Sequence, residues 1–305
     1  MIPQSANLNA KAASTPLPFA ITKPLTALSL TDESKAEVLA FLKEPTVHNV
    51  VMSGLIRDNG IESELNRGCF YGCHDEAKSL EGVALIGHAM FIEARGNRAI
   101  HAFAQIAREL RDSHMIMGDP RTIEDFWSCY SLGGQAPRRL CREIMFALNQ
   151  SPANVDPVRD LRPANIGDLP HILTVHAAMA FEESGVNPLQ VDPNGFQRRC
   201  LRRIEQGRVW VCVEGGQLIF KSDIISETPD AIYLEGVYVC PEARHQGYGS
   251  RCISEMCRRL LRQTKSISVL VNQERPAAQR FFQTIGFIPS GWYDTIYLQT
   301  QPELP

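Results

Sequence analysis

The residues best placed for chemistry run from Glu235 to Ser250, read Glu-Gly-Val-Tyr-Val-Cys-Pro-Glu-Ala-Arg-His-Gln-Gly-Tyr-Gly-Ser. An apolar, β-branched run from Ile232 to Val239 ends at Pro241, and a helical pattern opens with Cys252, Ile253, Met256 and Leu260. A strand, a glycine-bearing turn and a helix N-terminus together make an anion site. Amides left free by the first helical turn point outward, and the helix dipole favours negative charge there. Gly247 and Gly249 let the backbone approach a phosphate with no Cβ in the way. The expected ligand therefore carries phosphate. Glu235 sits on the strand that feeds the turn, two residues before Val237 and so on the same face of an ideal strand.

Two familiar phosphate loops do not fit. The turn lacks the Gly-Lys-Ser/Thr ending of a P-loop, and Cys252 stands where Gly-x-Gly-x-x-Gly needs its last glycine. The segment Arg244-His245-Gln246-Gly247-Tyr248-Gly249 does match Arg/Gln-x-x-Gly-x-Gly/Ala. After a strand of this kind, that pattern resembles the GNAT superfamily of acyl-CoA-dependent N-acyltransferases. Downstream, Ile267–Val271 reads as a short buried strand followed by Asn272, and a helix starts at Pro276 and carries Phe281 and Phe282. Gly286-Phe287 ends that helix, and Trp292–Leu298 supplies a final strand. The resemblance covers roughly residues 156 to 300.

The resemblance implies a mixed sheet splayed at its fourth strand, with acetyl-CoA as co-substrate and no metal. By this comparison Arg244, His245, Gln246, Gly247, Tyr248, Gly249 and Ser250 receive the pyrophosphate. The backbone of Val237, Tyr238 and Val239 holds the pantetheine arm, and Asn272 joins the cofactor-binding set. Glu235 occupies the place of a base that deprotonates the amine; its plainer reading is a strand glutamate paired with an arginine or facing solvent. Many relatives keep a tyrosine acid four residues before the glycine of Gly-Phe. This chain has Phe282 there, which has no proton to give. Tyr238, Tyr293 and Tyr297 are possible substitutes, and Tyr238 is taken into the catalytic set with Glu235. The acidic residues Glu182, Glu183 and Asp192 fall where relatives build the acceptor site and would suit a cationic amine, or else form a solvated helix end. Cys240 lies just past the strand with nothing beside it in sequence to activate it. The expected reaction is acetyl transfer to a primary amine in a ternary complex. The alternatives are a tandem acyltransferase on an amino-sugar substrate, resembling mycothiol synthase, and a non-catalytic acyl-CoA-binding or regulatory protein.

The elements that must position these groups occupy a chain of 305 residues, long enough for two domains. At 44% apolar and 21% charged residues, with a formal net charge of -3, the composition gives no reason to expect nucleic acid or an anionic membrane as partner. No apolar run reaches the ~18 residues of a membrane span. Nine scattered cysteines, without Cys-x-x-Cys, read as buried reduced thiols in a cytoplasmic protein. The expected organisation is a flexible tail at 1–23, a degenerate GNAT-like domain at 24–150 and a GNAT acetyltransferase domain at 156–300, as a monomer or homodimer with a small-molecule amine as partner. In the first domain, Leu80–Phe91 reads as strand and Glu93–Arg98 takes the phosphate-loop position, with one glycine and no Gly-x-Gly. That domain is expected to bind no CoA, and Arg138–Leu148 is expected to close it. In the second, Val158–Arg162 opens the order β-α-α-β-β-β-α-β-α-β-β.

Overall fold

The computed structural model describes residues 24–44, 48–153 and 157–299; the expected tail at 1–23 and part of the linker lie outside the described residues. In the first half, β1 (Ala27–Ser29), α1 (Lys35–Phe41) and α2 (Val50–Asn59) precede the meander β2 (Gly68–His74), β3 (Leu80–Gly87) and β4 (Ala89–Ala94). Then come α3 (Asn97–Ala107), β5 (Met115–Gly118), α4 (Pro120–Tyr130) and β6 (Pro137–Leu148). The second half opens with β7 (Leu161–Pro163), α5 (Leu169–Ser184), α6 (Pro188–Val191) and α7 (Pro193–Glu205). It continues through β8 (Val209–Glu214), β9 (Gln217–Glu227), β10 (Ile232–Val239), α8 (Tyr248–Leu260), β11 (Ile267–Asn272), α9 (Pro276–Ile285) and β12 (Ile288–Leu298).

Local chemistry explains many of these boundaries. Asp119 caps α4 by accepting from the amides of Arg121 and Thr122 at 3.1 Å each, and Pro120 opens the helix where no amide partner is needed. Gly286, at φ +109°, ends α9 in the left-handed region that glycine tolerates best. Gly215 and Gly216, both with positive φ, make the tight turn between β8 and β9.

The strands form one mixed sheet in the order β1-β2-β3-β4-β5-β12-β6-β11-β10-β9-β8-β7. The two halves exchange their last strands. β6 does not close its own half: it pairs with β11 from Leu148↔Ile267 to Glu143↔Asn272, and with β12 on its other edge. β12 in turn pairs with β5 of the first half, from Asp294↔Gly118 to Tyr297↔Met115. The exchange extends to the cores. Phe146 and Leu148 of β6 pack with Ile253, Met256 and Phe287 of the second half, while Ile296 and Leu298 of β12 pack with Phe103, Ile123 and Phe126 of the first. Each such side chain, fully buried, stabilises by about 1.5–3 kcal/mol, so neither core is complete without the other half's strand.

Three sequence expectations change here. Leu80–Phe91 is two strands turning at His88; β7 starts at Leu161 because 159–160 form a turn; and the two closing strands of the second half are one strand, irregular between Pro289 and Gly291. Helices cover both faces. α3, α4, α8 and α9 lie over the even-numbered side chains Ile116, Phe146 and Ile296. The opposite face presents Met115, Met117, Cys141, Glu143, Thr295 and Tyr297 towards α5. All nine cysteines are free, seven of them buried. Among the described residues no helix is long and apolar enough to cross a membrane.

Candidate active site

β10 and β11 run parallel, but their pairing covers only Ile232–Leu234 with Ile267–Val269, although β10 continues to Val239 and β11 to Asn272. Beyond Leu234 the strands part. Gly236, at φ +61°, sits in the irregularity of the β10–β9 ladder between Glu235↔Asp223 and Tyr238↔Lys221, and this bulge turns the edge of β10 away from β11. A Cβ at Gly236 would lie 2.9 Å from Lys221 Nζ, and the left-handed φ favours glycine there. The gap opens into a cavity of about 340 Å³, whose lining includes Glu235, Gly236, Val237, Asn272 and Phe282.

Three carboxyl groups from three elements meet in this cavity: Glu235 on β10, Glu183 at the end of α5 and Glu143 on β6. Glu235 Oε1 accepts from Tyr233 Oη at 2.6 Å. Its pKa is raised, chiefly by burial, against the opposing effects of the Tyr233 bond and the Arg203 charge. Burial also pushes Glu183 up to about 7, helped by the charges of Glu235 and Glu143. Glu143 likewise rises to about 7 by burial, although Thr295 Oγ1 donates to it at 2.9 Å; Glu235 and Asp294 push it further up. Glu183 shows surface to the open cavity while protein crowds around it, so the raised values reflect the site as a whole. Arg139 of β6 donates to the carbonyls of Glu183 (2.7 Å) and Glu182 (3.1 Å), which fixes the C-terminal end of α5 over the cavity. Behind the bulge lies a buried charge cluster. Burial acts to raise Asp223, but the cations Lys221, at 2.8 Å, and Arg203 outweigh it and hold Asp223 ionised. His176 is pushed down to about 3 by burial and stays neutral.

The glycine turn lies where β10 delivers the chain. Arg244 Nε donates to Val239 O at 3.1 Å, Gln246 Nε2 to Glu242 O at 2.6 Å, and Ser250 Oγ to Gly247 O at 3.0 Å. His245 (φ +62°) and Gly247 (φ +79°) shape the exposed turn, and Gly247 caps α8. The first-turn amides of α8 have the free donors that a pyrophosphate needs, so the chain's residues fit a CoA phosphate. Gly249 also has a packing duty that its spacing does not show. It is buried, and a Cβ there would meet Val239 Cγ2 at 2.9 Å and the Phe281 ring at 3.2 Å, so it allows α8, β10 and α9 to pack together. Tyr248 stacks under Arg251 and donates to Glu214 Oε2 at 2.9 Å. Asn272 lines the cavity while its Oδ1 accepts from the Glu274 amide at 2.8 Å.

Tyr238 does not reach the cavity; it packs against Ile219, Cys240 and Ala243. Tyr293 lines a separate, smaller cavity beside His48 and donates to His48 O at 2.8 Å. Of the three tyrosines considered as acid, Tyr297 is the one that lines the site. Burial, then the charges of Glu183 and Glu143, raise its pKa, so it keeps its proton. Of the acceptor candidates, Glu183 lines the cavity, Glu182 pairs with Arg275 at 2.6 Å, and Asp192 caps α7 through the Gly195 amide at 2.8 Å. Sequence reasoning missed Glu143, Thr295 and Arg139. No local signal marks them: both faces of β6 carry charge, Arg138 and Arg142 on one and Arg139 and Glu143 on the other.

Comparison with known proteins agrees with this architecture. Residues 205–289 match the family model of the acetyltransferase (GNAT) domain. No curated protein matches the chain. Among solved structures, a GNAT-family acetyltransferase from Colwellia psychrerythraea is 12% identical, covering 90% of this chain and 99% of that one, with a TM-score of 0.56. A GCN5-related N-acetyltransferase from Sphaerobacter thermophilus is 13% identical, at 92% and 97% coverage and TM-score 0.58. These likenesses speak for the fold. The second half carries the acetyltransferase (GNAT) domain match, and the chain has a GNAT fold. The fold likeness spans both halves: a tandem GNAT protein from the clavulanic acid biosynthesis pathway, 13% identical, is matched over 92% of this chain and 99% of that one, TM-score 0.58.

Proposed function

We propose that this chain is an acetyl-CoA-dependent N-acetyltransferase that acetylates a primary amine by direct transfer. The observation that carries the reading is the parting of β10 from β11 beyond Leu234, which opens the cavity at Glu235 on the strand that feeds the glycine turn at Gly247. The free edge of β10 at Val237–Val239 offers backbone groups to a pantetheine arm as a short added strand would use them. Acetyl-CoA supplies a thioester carbonyl at the mouth of the cavity. Glu235, with one oxygen held by Tyr233, takes the proton from the incoming ammonium. Its raised pKa makes it a better base near neutral pH than an ordinary carboxylate. The amine nitrogen then bonds to the carbonyl carbon, the C–S bond breaks, and the nitrogen's second proton passes to the departing thiolate, directly or relayed through Tyr297 or water. No hydroxyl stands at Phe282 to serve it.

The first half is proposed as a degenerate GNAT-like domain that binds no CoA. β4 and β5 also part beyond Phe91↔Met117, but only Arg95 and Gly96 join β4 to α3, where residues 240–247 join β10 to α8. Two residues leave no loop to wrap a phosphate. Turnover of acetyl-CoA with a panel of primary amines tests the reading, with Glu235→Gln as control. Loss of the base is expected to lower kcat about 100-fold while leaving acetyl-CoA affinity unchanged. Phe282 favours a second reading, a non-catalytic acyl-CoA-binding protein, which gains if acetyl-CoA binds but no amine is acetylated.

A further inference from the structure

The acceptor cavity carries more negative charge than one amine can match. Glu143, Glu183 and Glu235 face it together, and the cations around it are engaged elsewhere: Lys221 and Arg203 with Asp223, Arg275 with Glu182, and Arg139 with the α5 carbonyls. A second observation comes from Asp223. It is 1% exposed, it lines the same cavity, and its Oδ1 has no hydrogen-bond partner. Between these polar groups the lining is apolar, with Met115, Met117, Met179, Ala180 and Leu270.

We propose that the acceptor is a small diamine, two ammonium groups joined by a short alkyl chain. It rests on the reading of this cavity as an acyl-transfer site. One nitrogen lies at Glu235, loses its proton to that carboxylate and receives the acetyl group. The other keeps its charge between Glu143 and Glu183, and the methylenes cover the apolar wall. Burial and the Glu235 charge push Glu143 and Glu183 up to about 7, and a dication in the cavity would favour their ionised forms. A ligand with an amine at one end and a carboxylate at the other would meet Glu143 or Glu183 as a like charge. A mono-amine would leave those two carboxyls uncompensated.

The test uses the full chain with α,ω-diaminoalkanes of three, four and five carbons, n-butylamine and γ-aminobutyrate. Binding is measured by calorimetry without acetyl-CoA, and kcat/KM with it. The best diamine should exceed n-butylamine at least about tenfold in both measurements, the gain of one well-placed charge pair. γ-Aminobutyrate should fall below n-butylamine. In the Glu143→Gln/Glu183→Gln double variant the diamine-to-butylamine ratio should collapse towards unity. Equal binding and equal kcat/KM for diamine and n-butylamine overturn the proposal. So does a ratio that survives the double variant in a chain whose circular dichroism matches the parent. Acetylation of mono-amines without diamine preference would remove the diamine and keep the N-acetyltransferase. Selective diamine binding with no acetylation of any amine would keep the diamine as ligand and remove the transferase reading.

Discussion

Replacing Glu143 with glutamine should stabilise the protein, and only at high pH. Glu143 reaches from β6 into the cavity beneath α5, where burial, then the Glu235 and Asp294 charges, lift its pKa to about 7 against an ordinary 4.5. A folded pKa above the unfolded one means that the folded state binds the proton more tightly. The stability this confers is full below 4.5 and is lost as pH rises through about 7. At about 1.36 kcal/mol per pH unit the gap sets a ceiling of about 3 kcal/mol. Glu143 is only half-buried and its cavity is open, so solvent screening brings the expected effect to about 1–2 kcal/mol. Glutamine keeps an oxygen to accept from Thr295 Oγ1 and has no charge to acquire. Urea unfolding of parent and Glu143→Gln, followed by tryptophan fluorescence, should give matching free energies near about pH 4.5 and a variant advantage of about 1–2 kcal/mol near about pH 8.5. A difference of the same size at both pH values, or a variant less stable at the higher one, would refute the electrostatic reasoning.

Calorimetric titration should give one CoA per chain, because the Arg95–Gly96 connection leaves the first half no phosphate loop; two per chain would contradict this. Gly249→Val should cost about 1–3 kcal/mol of stability by overpacking against Val239 and Phe281, a loss that urea unfolding would register whether or not CoA binding also falls. A chain beginning at residue 157 should fail to fold, since it lacks β6 with Phe146 and Leu148 and leaves the edge of β11 bare. A dispersed amide spectrum from that fragment would show the exchanged strand to be dispensable.

The parts of the site that lie close together in sequence could be read from it. The glycine turn, the strand that enters it and the helix that leaves it are set by neighbours a few residues apart, and Glu235 sits within that same stretch. The run Pro137–Leu148 could be read as a strand, but its partners could not. Alternation fixes which side chains share a face and leaves open which strand lies alongside, so β6 looked like the closing strand of its own half. Glu143 was lost for the same reason. Nothing near it in the chain distinguishes it from a solvated strand residue, and its perturbation arises from burial first and then from Glu235, more than ninety residues away. Gly249 shows the converse: its place in the motif suggested ligand approach, while helix packing demands the missing Cβ.

The exchange of β6 and β12 also decides which wall of the cavity can yield. β6 forms the floor and is bonded along both edges, to β11 and to β12. Lowering that floor would mean tearing ladders in the middle of the sheet, the part of a fold that opens most rarely. The roof is α5, a helix whose C-terminal end rests on Arg139 and the carbonyls it holds. A molecule entering or leaving the cavity therefore displaces the roof before the floor, and it must loosen the contacts that Arg138, Arg139 and Arg275 make with the last turn of α5.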